Sequence, residues 1–201
     1  MARPKLYSDE AILDATRDLL VGGGPARATT AAISAASGAP VGSLYHRFGS
    51  RTQLFAEVWL RTAGRFQAGL LAATASSTGI ERAVAAADWT VEFAVRHPAD
   101  ARLLLQARRE ELLTDADLPA HTRQSLAALN QPVTDLLHRL AADLCGAPTS
   151  ERMEWLTIAV VDVPYAIVRR HLGRGTSPEI HRDLVASTVR AMLEAPADRP
   201  G

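Results

Sequence analysis

Apolar residues recur along the chain with the spacing of helix faces rather than of strands. In the first segment Ile12, Leu13, Leu19 and Leu20 share one face of a helix that starts after a Ser8 cap. Comparable segments, separated by glycine and proline, follow to the C-terminus, and strand-like alternation is rare. The pattern therefore predicts an all-α protein of about nine helices.

Three short helices are predicted before residue 50. Glycines at 22–24 end the first, a cap at Thr29 or Thr30 opens the second, and Gly38 suits the left-handed residue that ends it. The third covers roughly residues 40–48. Two short helices joined by a glycine-containing turn form the helix-turn-helix pattern, whose second helix lies in the major groove of DNA.

Charge along the chain supports this interpretation. The chain has 22 basic and 22 acidic residues, yet no Asp or Glu occurs between Leu19 and Ala56. A surface that faces DNA avoids carboxylates, because the duplex carries a negative charge about every 1.7 Å. On the pattern alone, a chance pair of basic helices in a bundle remains the alternative.

The third helix combines small residues with hydrogen-bond donors. Small residues near its start would let the backbone approach base edges, and later donors suit phosphate oxygens: Val41, Gly42, Ser43, Tyr45, His46 and Arg47. Leu44 and Phe48, four residues apart, are expected to point into the bundle.

Residues 37–48 read SGAPVGSLYHRF, and Ser50 and Arg51 follow at the start of a fourth helix. In order and spacing they resemble the TetR family of bacterial one-component repressors, in which the corresponding stretch has the pattern A-G-V-S-x-G-x-L-Y-x-x-F. The resemblance extends over residues 8–59 and keeps the family's spacing throughout. Pro40 stands where the family usually has a serine cap.

The resemblance implies a domain organisation and a function. Residues 1–52 would form a helix-turn-helix DNA-binding domain, and residues 53–201 a larger helical domain for ligand binding and dimerisation. The protein would bind a palindromic double-stranded DNA operator as a homodimeric repressor and be released by a small-molecule effector. The alternative is a ligand-independent regulator or an activator with the same N-terminal chemistry.

Carried over position by position, the resemblance also implies a set of DNA contacts. They lie at the start of the second helix, on the third helix and at the start of the fourth: Thr29, Thr30, Val41, Gly42, Ser43, Tyr45, His46, Arg47 and Arg51. Since Val41 offers a base only apolar contact, we expect sequence preference to depend on the thymine methyl group and on DNA shape.

The segment at residues 155–171, WLTIAVVDVPYAIVRRH, is a candidate for part of an effector pocket. Asp162 lies among apolar residues and would either orient a ligand or be satisfied by an arginine such as Arg96. Trp89 and Phe93 would be core residues or pocket walls. The pocket candidates are Trp89, Phe93, Arg108, Trp155, Asp162, Tyr165 and Arg169.

Two apolar stripes near the C-terminus are either plain core or a dimer face. The candidates for the dimer face are Ile158, Ile167, Leu184, Val185, Val189 and Met192.

Patterns typical of enzymes and metal sites are missing from the sequence. We find no nucleophile–base pair, no glycine-rich phosphate loop and no metal-ligand spacing among the histidines, and Cys145 is the single cysteine. No apolar run approaches the ~20 residues of a membrane span. We therefore expect a cytoplasmic protein without enzymatic activity, cofactor or metal.

Overall fold

The structure is a computed structural model and describes residues 7–106, 118–146 and 149–194. In these ranges every regular element is a helix, which confirms the all-α prediction. In chain order the elements are α1 (Asp9–Arg27), α2 (Thr30–Ser37), α3 (Val41–Phe48), α4 (Arg51–Thr74), α5 (Gly79–Arg96), α6 (Pro98–Gln106), α7 (Ala120–Ala128), α8 (Gln131–Cys145), α9 (Ser150–Thr157), a π-helical turn (Ile158–Asp162), α10 (Val163–Gly173), a 3₁₀ turn (Pro178–His181) and α11 (Arg182–Glu194).

The caps predicted for α1 and α2 are present. The Oγ of Ser8 accepts a hydrogen bond from the N–H of Ala11 at 3.1 Å, and the Oγ1 of Thr29 accepts one from Ala32 at 3.2 Å. Glycine interrupts α1 as expected, but the chain leaves helical geometry only at residues 23 and 24 and then adds a final turn.

The turn between α2 and α3 differs from the prediction by one residue. Gly38 adopts the left-handed conformation, with a φ of 73°. Pro40 is the residue before the helix rather than its first residue, and its carbonyl accepts the N–H of Ser43 at 2.8 Å. The fixed φ of proline suits this position, although proline offers no side-chain cap.

A side-chain cap from Ser50 opens α4. The Oγ of Ser50 accepts the N–H of Gln53 at 3.0 Å. The N–H of Ser50 donates instead to the carbonyl of Phe48 at 2.8 Å, so the reciprocal bond from Gln53 is replaced by a backbone bond.

Chain contacts group into two compact units. The first comprises Met1–Gly64 and Ala99–Leu129, and the second comprises Arg65–Pro98 and Asn130–Gly201. The predicted division of function at residues 1–52 and 53–201 stays a prediction.

The first unit is held by one apolar core and a network of ion pairs. The core includes buried residues of α1 to α4 together with Leu103, Leu118 and Leu126. On α1, Arg17 donates to the almost fully buried Asp100 of α6 at 2.8 Å. Arg61 of α4 binds Glu10 at 2.6 Å, so charged contacts attach both α4 and α6 to α1.

In the second unit α5 packs against α8, α10 and α11. Between α9 and α10 the helix widens into a π turn, in which the N–H of Val163 reaches the carbonyl of Ile158. Pro164 follows directly and has no N–H to donate, so the helix is interrupted here by a π turn without a break.

Candidate nucleic-acid interface

Helix α3 has one face in the core and one face open. Leu44 and Phe48 are 3% and 9% exposed, as predicted. On the opposite side Val41 and Tyr45 are 38% and 50% exposed. Ala39, just before the helix, is fully buried, and its carbonyl accepts the hydroxyl of Ser34 at 2.7 Å. The turn and the inner face therefore hold α3 in place while its outer face stays accessible.

The nine predicted DNA contacts all belong to the first unit, at the start of α2, on α3 and at the start of α4. Most of their side chains or backbones are exposed, and three are half-buried: Thr30, Ser43 and Arg47. Their roles toward DNA stay a prediction.

Arg47 has a structural contact that sequence reasoning missed. Its Nη1 donates to the carbonyl of Tyr7 at 2.7 Å and lies 3.0 Å from Oδ1 of Asp9. The guanidinium thus ties the C-terminal end of α3 to the start of α1. A guanidinium carries five N–H groups, so others remain for a phosphate.

Arg51 takes the position expected of a phosphate anchor. It is exposed at the first residue of α4, and its Cζ lies 5.4 Å from the ring centroid of Phe55. Its Nη1 reaches the carbonyl of Pro25 at 3.4 Å. The positive end of a helix dipole and a stacked guanidinium together favour an anion at this point.

Acidic side chains of α1 are engaged by arginines. Asp14 binds Arg17 at 3.1 Å and Arg61 at 2.8 Å, and Arg17 also binds Asp18. Burial works to lower the pKa of Arg17, but its hydrogen bonds to Asp100 and Asp18 outweigh it and raise the pKa above its ordinary value. The arginines therefore offset the negative charge of α1.

Two pocket candidates lie in the interior of the second unit. Trp89 is half-buried and its Nε1 donates to the carbonyl of Phe66 at 2.8 Å. Phe93 is 2% exposed and meets the ring of Phe66 edge-on at 5.3 Å. Both Trp89 and Phe93 thus contact Phe66 of the same chain, as residues of a core do.

The other pocket candidates that the structure describes are exposed on α9, the π turn and α10: Trp155, Asp162, Tyr165 and Arg169. The opposite side of the same segment is buried, at Leu156, Val160 and Val168. Arg96 binds Glu92 at 2.6 Å. Arg108 lies outside the described residues.

The dimer candidates divide into exposed and buried residues. Ile158 and Leu184 are 37% and 52% exposed, whereas Val185 and Val189 are buried inside the second unit. Ile167 and Met192 are half-buried. The Nε1 of Trp155 reaches the carbonyl of Met192 at 3.3 Å, so α9 and the end of α11 share one surface.

Across the described ranges, no group of three or more His, Cys, Asp or Glu side chains could hold a metal ion. None of the helices described there is long and apolar enough to cross a membrane.

Comparison with known proteins points to one family. Residues 12–58 match the family model of bacterial regulatory proteins, tetR family. No curated protein matches the chain.

Solved structures of regulators share the fold over nearly the whole chain. A TetR-like transcriptional regulator from Rhodococcus sp. RHA1 has a TM-score of 0.73 at 19% identity, covering 96% of this chain and 100% of its own. The fatty acid degradation regulator FadR from Bacillus halodurans has a TM-score of 0.70 at 12% identity, with 94% and 99% covered. FadR from Bacillus subtilis, solved in complex with stearoyl-CoA, has 0.71 at 11%, with 92% and 99% covered.

Proposed function

Because residues 12–58 match the family model of bacterial regulatory proteins, tetR family, we propose that this chain is a homodimeric transcriptional repressor of that family. It binds a palindromic DNA operator in the bacterial cytoplasm and is released by a small-molecule effector. The observation that carries the proposal is α3, which is fixed by Leu44 and Phe48 and presents an open face without any carboxylate.

The exposed face of α3 enters the major groove. Val41, Gly42 and Ser43 lie at its N-terminal end, where a recognition helix meets base edges. Tyr45 and His46 are exposed one turn further and supply donors to phosphate oxygens. Few side-chain hydrogen bonds reach the bases, so apolar contact with thymine methyl groups and DNA shape give much of the preference.

Arg51 and the start of α2 fix the register on the duplex. Arg51 meets a phosphate at the N-terminus of α4, and Thr29 and Thr30 meet one at the N-terminus of α2. Contacts of this kind carry no sequence information but make affinity depend steeply on salt.

A second copy of the chain covers the exposed apolar surface formed by Trp155, Ile158, Tyr165 and Leu184. A two-fold axis uses the same patch on both subunits. A palindromic operator offers the two copies of α3 half-sites about 34 Å apart. Val185 and Val189 are buried within their own chain, so they are not part of this surface.

The effector acts by binding one conformation of the dimer better than another. The likeness to FadR from Bacillus subtilis, which was solved with stearoyl-CoA, supports the general property of holding a small molecule. If the effector binds more tightly to a dimer in which the two α3 helices have a different spacing, it lowers the fraction of dimers that fit the operator.

Selection of bound sequences from random DNA tests the proposal. We expect an enriched palindrome for the wild-type protein, and weaker binding with an unchanged sequence for Arg51→Ala, since a phosphate contact is lost. Arg139→Ala, an exposed arginine on α8, is the matched control. A wild-type protein that enriches no palindrome would contradict the proposal, and enrichment unaffected by Arg51→Ala would remove Arg51 from the interface.

A further inference from the structure

Four buried polar atoms of the first unit have no hydrogen-bond partner among the described residues. One of them, the Nε of Arg61, belongs to a guanidinium whose two other nitrogens bind Glu10 and Asp14. The other three are the Nε1 of Trp59, the Oγ1 of Thr62 and the Oγ1 of Thr122. Trp59 is 8% exposed, Thr62 is fully buried and Thr122 is 1% exposed. Leaving one buried donor unpaired costs about 1–3 kcal/mol, so three of them in one unit call for an explanation.

Sequence positions and the core place these three groups in one region. Trp59 and Thr62 are three residues apart on α4 and so lie on neighbouring parts of one helix face. Thr122 lies on α7, four residues after Leu118 and four before Leu126. Both leucines belong to the same buried core as Trp59. The face of α7 that carries Thr122 therefore packs into the core that Trp59 enters.

Other buried threonines show how such a hydroxyl is ordinarily satisfied. Thr16, also fully buried in the first unit, donates to the carbonyl of Ile12 one turn earlier at 2.7 Å. Thr74 donates in the same way to the carbonyl of Leu70 at 2.8 Å. Thr62 lies inside α4 as well, yet its hydroxyl does not make this bond. Thr122 is the third residue of α7, so the residue four positions earlier precedes the helix, and its hydroxyl also has no partner.

We propose that Trp59, Thr62 and Thr122 are the polar contacts of the effector in this protein. The proposal rests on the proposed function, because it assigns the site at which the effector would act. An indole N–H only donates, so the ligand must present an acceptor oxygen, and each threonine hydroxyl can donate to it or accept from it. The surrounding core is apolar, and the buried carboxylate of the unit, Asp100, is bound by Arg17. The ligand class is therefore an uncharged, mostly apolar molecule with a carbonyl oxygen, such as a ketone, an ester or a lactone.

Indole resonances provide the test. The chain has three tryptophans, and the indole N–H groups of Trp89 and Trp155 are bonded to backbone carbonyls. Full-length protein labelled with ¹⁵N is titrated with 2-hexanone, 2-octanone and 2-decanone, and the resonance of Trp59 is assigned with Trp59→Phe. We expect a saturable downfield shift of the Trp59 proton with at least one ketone, while n-octane at its solubility limit leaves it in place.

Valine substitutions separate hydrogen bonding from packing. Thr62→Val and Thr122→Val keep the shape and remove the hydroxyl, so we expect each to weaken ketone binding about 3- to 10-fold, as for one lost hydrogen bond. Each should leave the melting temperature of the unliganded protein unchanged or raised, because an unpaired buried hydroxyl is removed. Thr16→Val is the control, which should lower the melting temperature and leave ketone binding unchanged.

The outcomes separate this site from the DNA-binding proposal. If no ketone of the series shifts the Trp59 resonance, or if n-octane shifts it equally, the assigned ligand chemistry is wrong. Ketone binding that is insensitive to both valine variants removes the threonines from the site. A shift at Trp59 in a protein that selects no palindrome would keep the binding site and reject the regulator.

Discussion

Oδ1 of Asp9 lies 3.0 Å from Nη1 of Arg47, so the arginine of α3 is bound to the first residue of α1. The pair is partly exposed, with side-chain exposures of 48% and 21%. An ion pair of this kind holds a guanidinium in place but competes with a phosphate for it. Arg47 therefore positions α3, and its contact with a phosphate stays a prediction.

Replacing Asp9 with Asn should strengthen DNA binding. Arg47 would gain freedom to meet a phosphate, so the slope of log K against log salt should become steeper by about 0.9. Fluorescence anisotropy on the selected operator between 50 and 200 mM salt measures both quantities. Asp18→Asn removes a charge from the middle of α1, nine residues from Asp9, and is the control. Equal gains in affinity for the two variants would mean that only net charge matters and that Arg47 is not the group released.

Gly69 marks a close approach of two helices in the second unit. A Cβ built on Gly69 of α4 would overlap the indole ring of Trp89, which cannot move aside while its N–H is bonded to Phe66. Gly69→Ala should lower the free energy of unfolding by about 1–3 kcal/mol through overpacking. Gly64→Ala, on the same helix with open space around it, should raise it by up to about 1 kcal/mol. Chemical denaturation of both variants decides this, and equal effects would contradict the packing argument.

Asp100 is 2% exposed and is bound by Arg17 at 2.8 Å. Arg17→Met should lower the free energy of unfolding by about 3 kcal/mol, because the carboxylate stays buried without its guanidinium. In the double variant Arg17→Met with Asp100→Leu, most of this loss should be recovered, since neither charge is left. A double-mutant cycle by urea denaturation tests the coupling. Additive losses in the double variant would show that the pair does not act as a unit.

The fold of the N-terminal region was predictable because its signals are local. A serine and a threonine cap, a left-handed glycine and two apolar residues four apart specify α1 to α3 in sequence. The contact between Arg47 and Asp9 was not predictable, because it joins residues 38 positions apart and each had a plausible local role. Similarly, the sequence did not show which side of α9 and α10 is exposed to solvent. Trp155 and Tyr165 are exposed while Leu156 and Val168 are buried, and a helix that is apolar on both sides does not reveal its inner face.

His171 gives the second unit a pH-dependent contact. Its Nε2 lies 3.0 Å from Nδ1 of His181, and its Nδ1 lies 2.8 Å from the hydroxyl of Thr176. Partial burial lowers the pKa of His171 below 6.5, and the nearby charges of His181, Arg170 and Arg174 lower it further. The folded state thus favours the neutral ring. The associated stability is present above pH 6.5 and is lost as the pH falls below it.

Urea denaturation at several pH values measures this pH dependence of stability. Between pH 7.5 and 5.0 the unfolding midpoint of His171→Gln should fall less than that of the wild-type protein, because the group that must take up a proton is gone. His121→Gln, at an exposed histidine of α7, should follow the wild-type curve. Parallel curves for all three proteins would show that His171 is not the responsible group.

The last prediction concerns the surface assigned to the second subunit. Ile158→Glu combined with Leu184→Glu should convert the dimer to a monomer, since a carboxylate at the centre of an apolar interface is buried without a partner. We expect the dissociation constant from sedimentation equilibrium to rise about 100-fold or more, and operator affinity to fall with it because two half-sites are no longer read together. Ile180→Glu is the control, as Ile180 is the most exposed large apolar residue described, at 78%, and belongs to the 3₁₀ turn. If Ile180→Glu dissociates the dimer while the double variant does not, the interface lies at the 3₁₀ turn and not on α9 to α11.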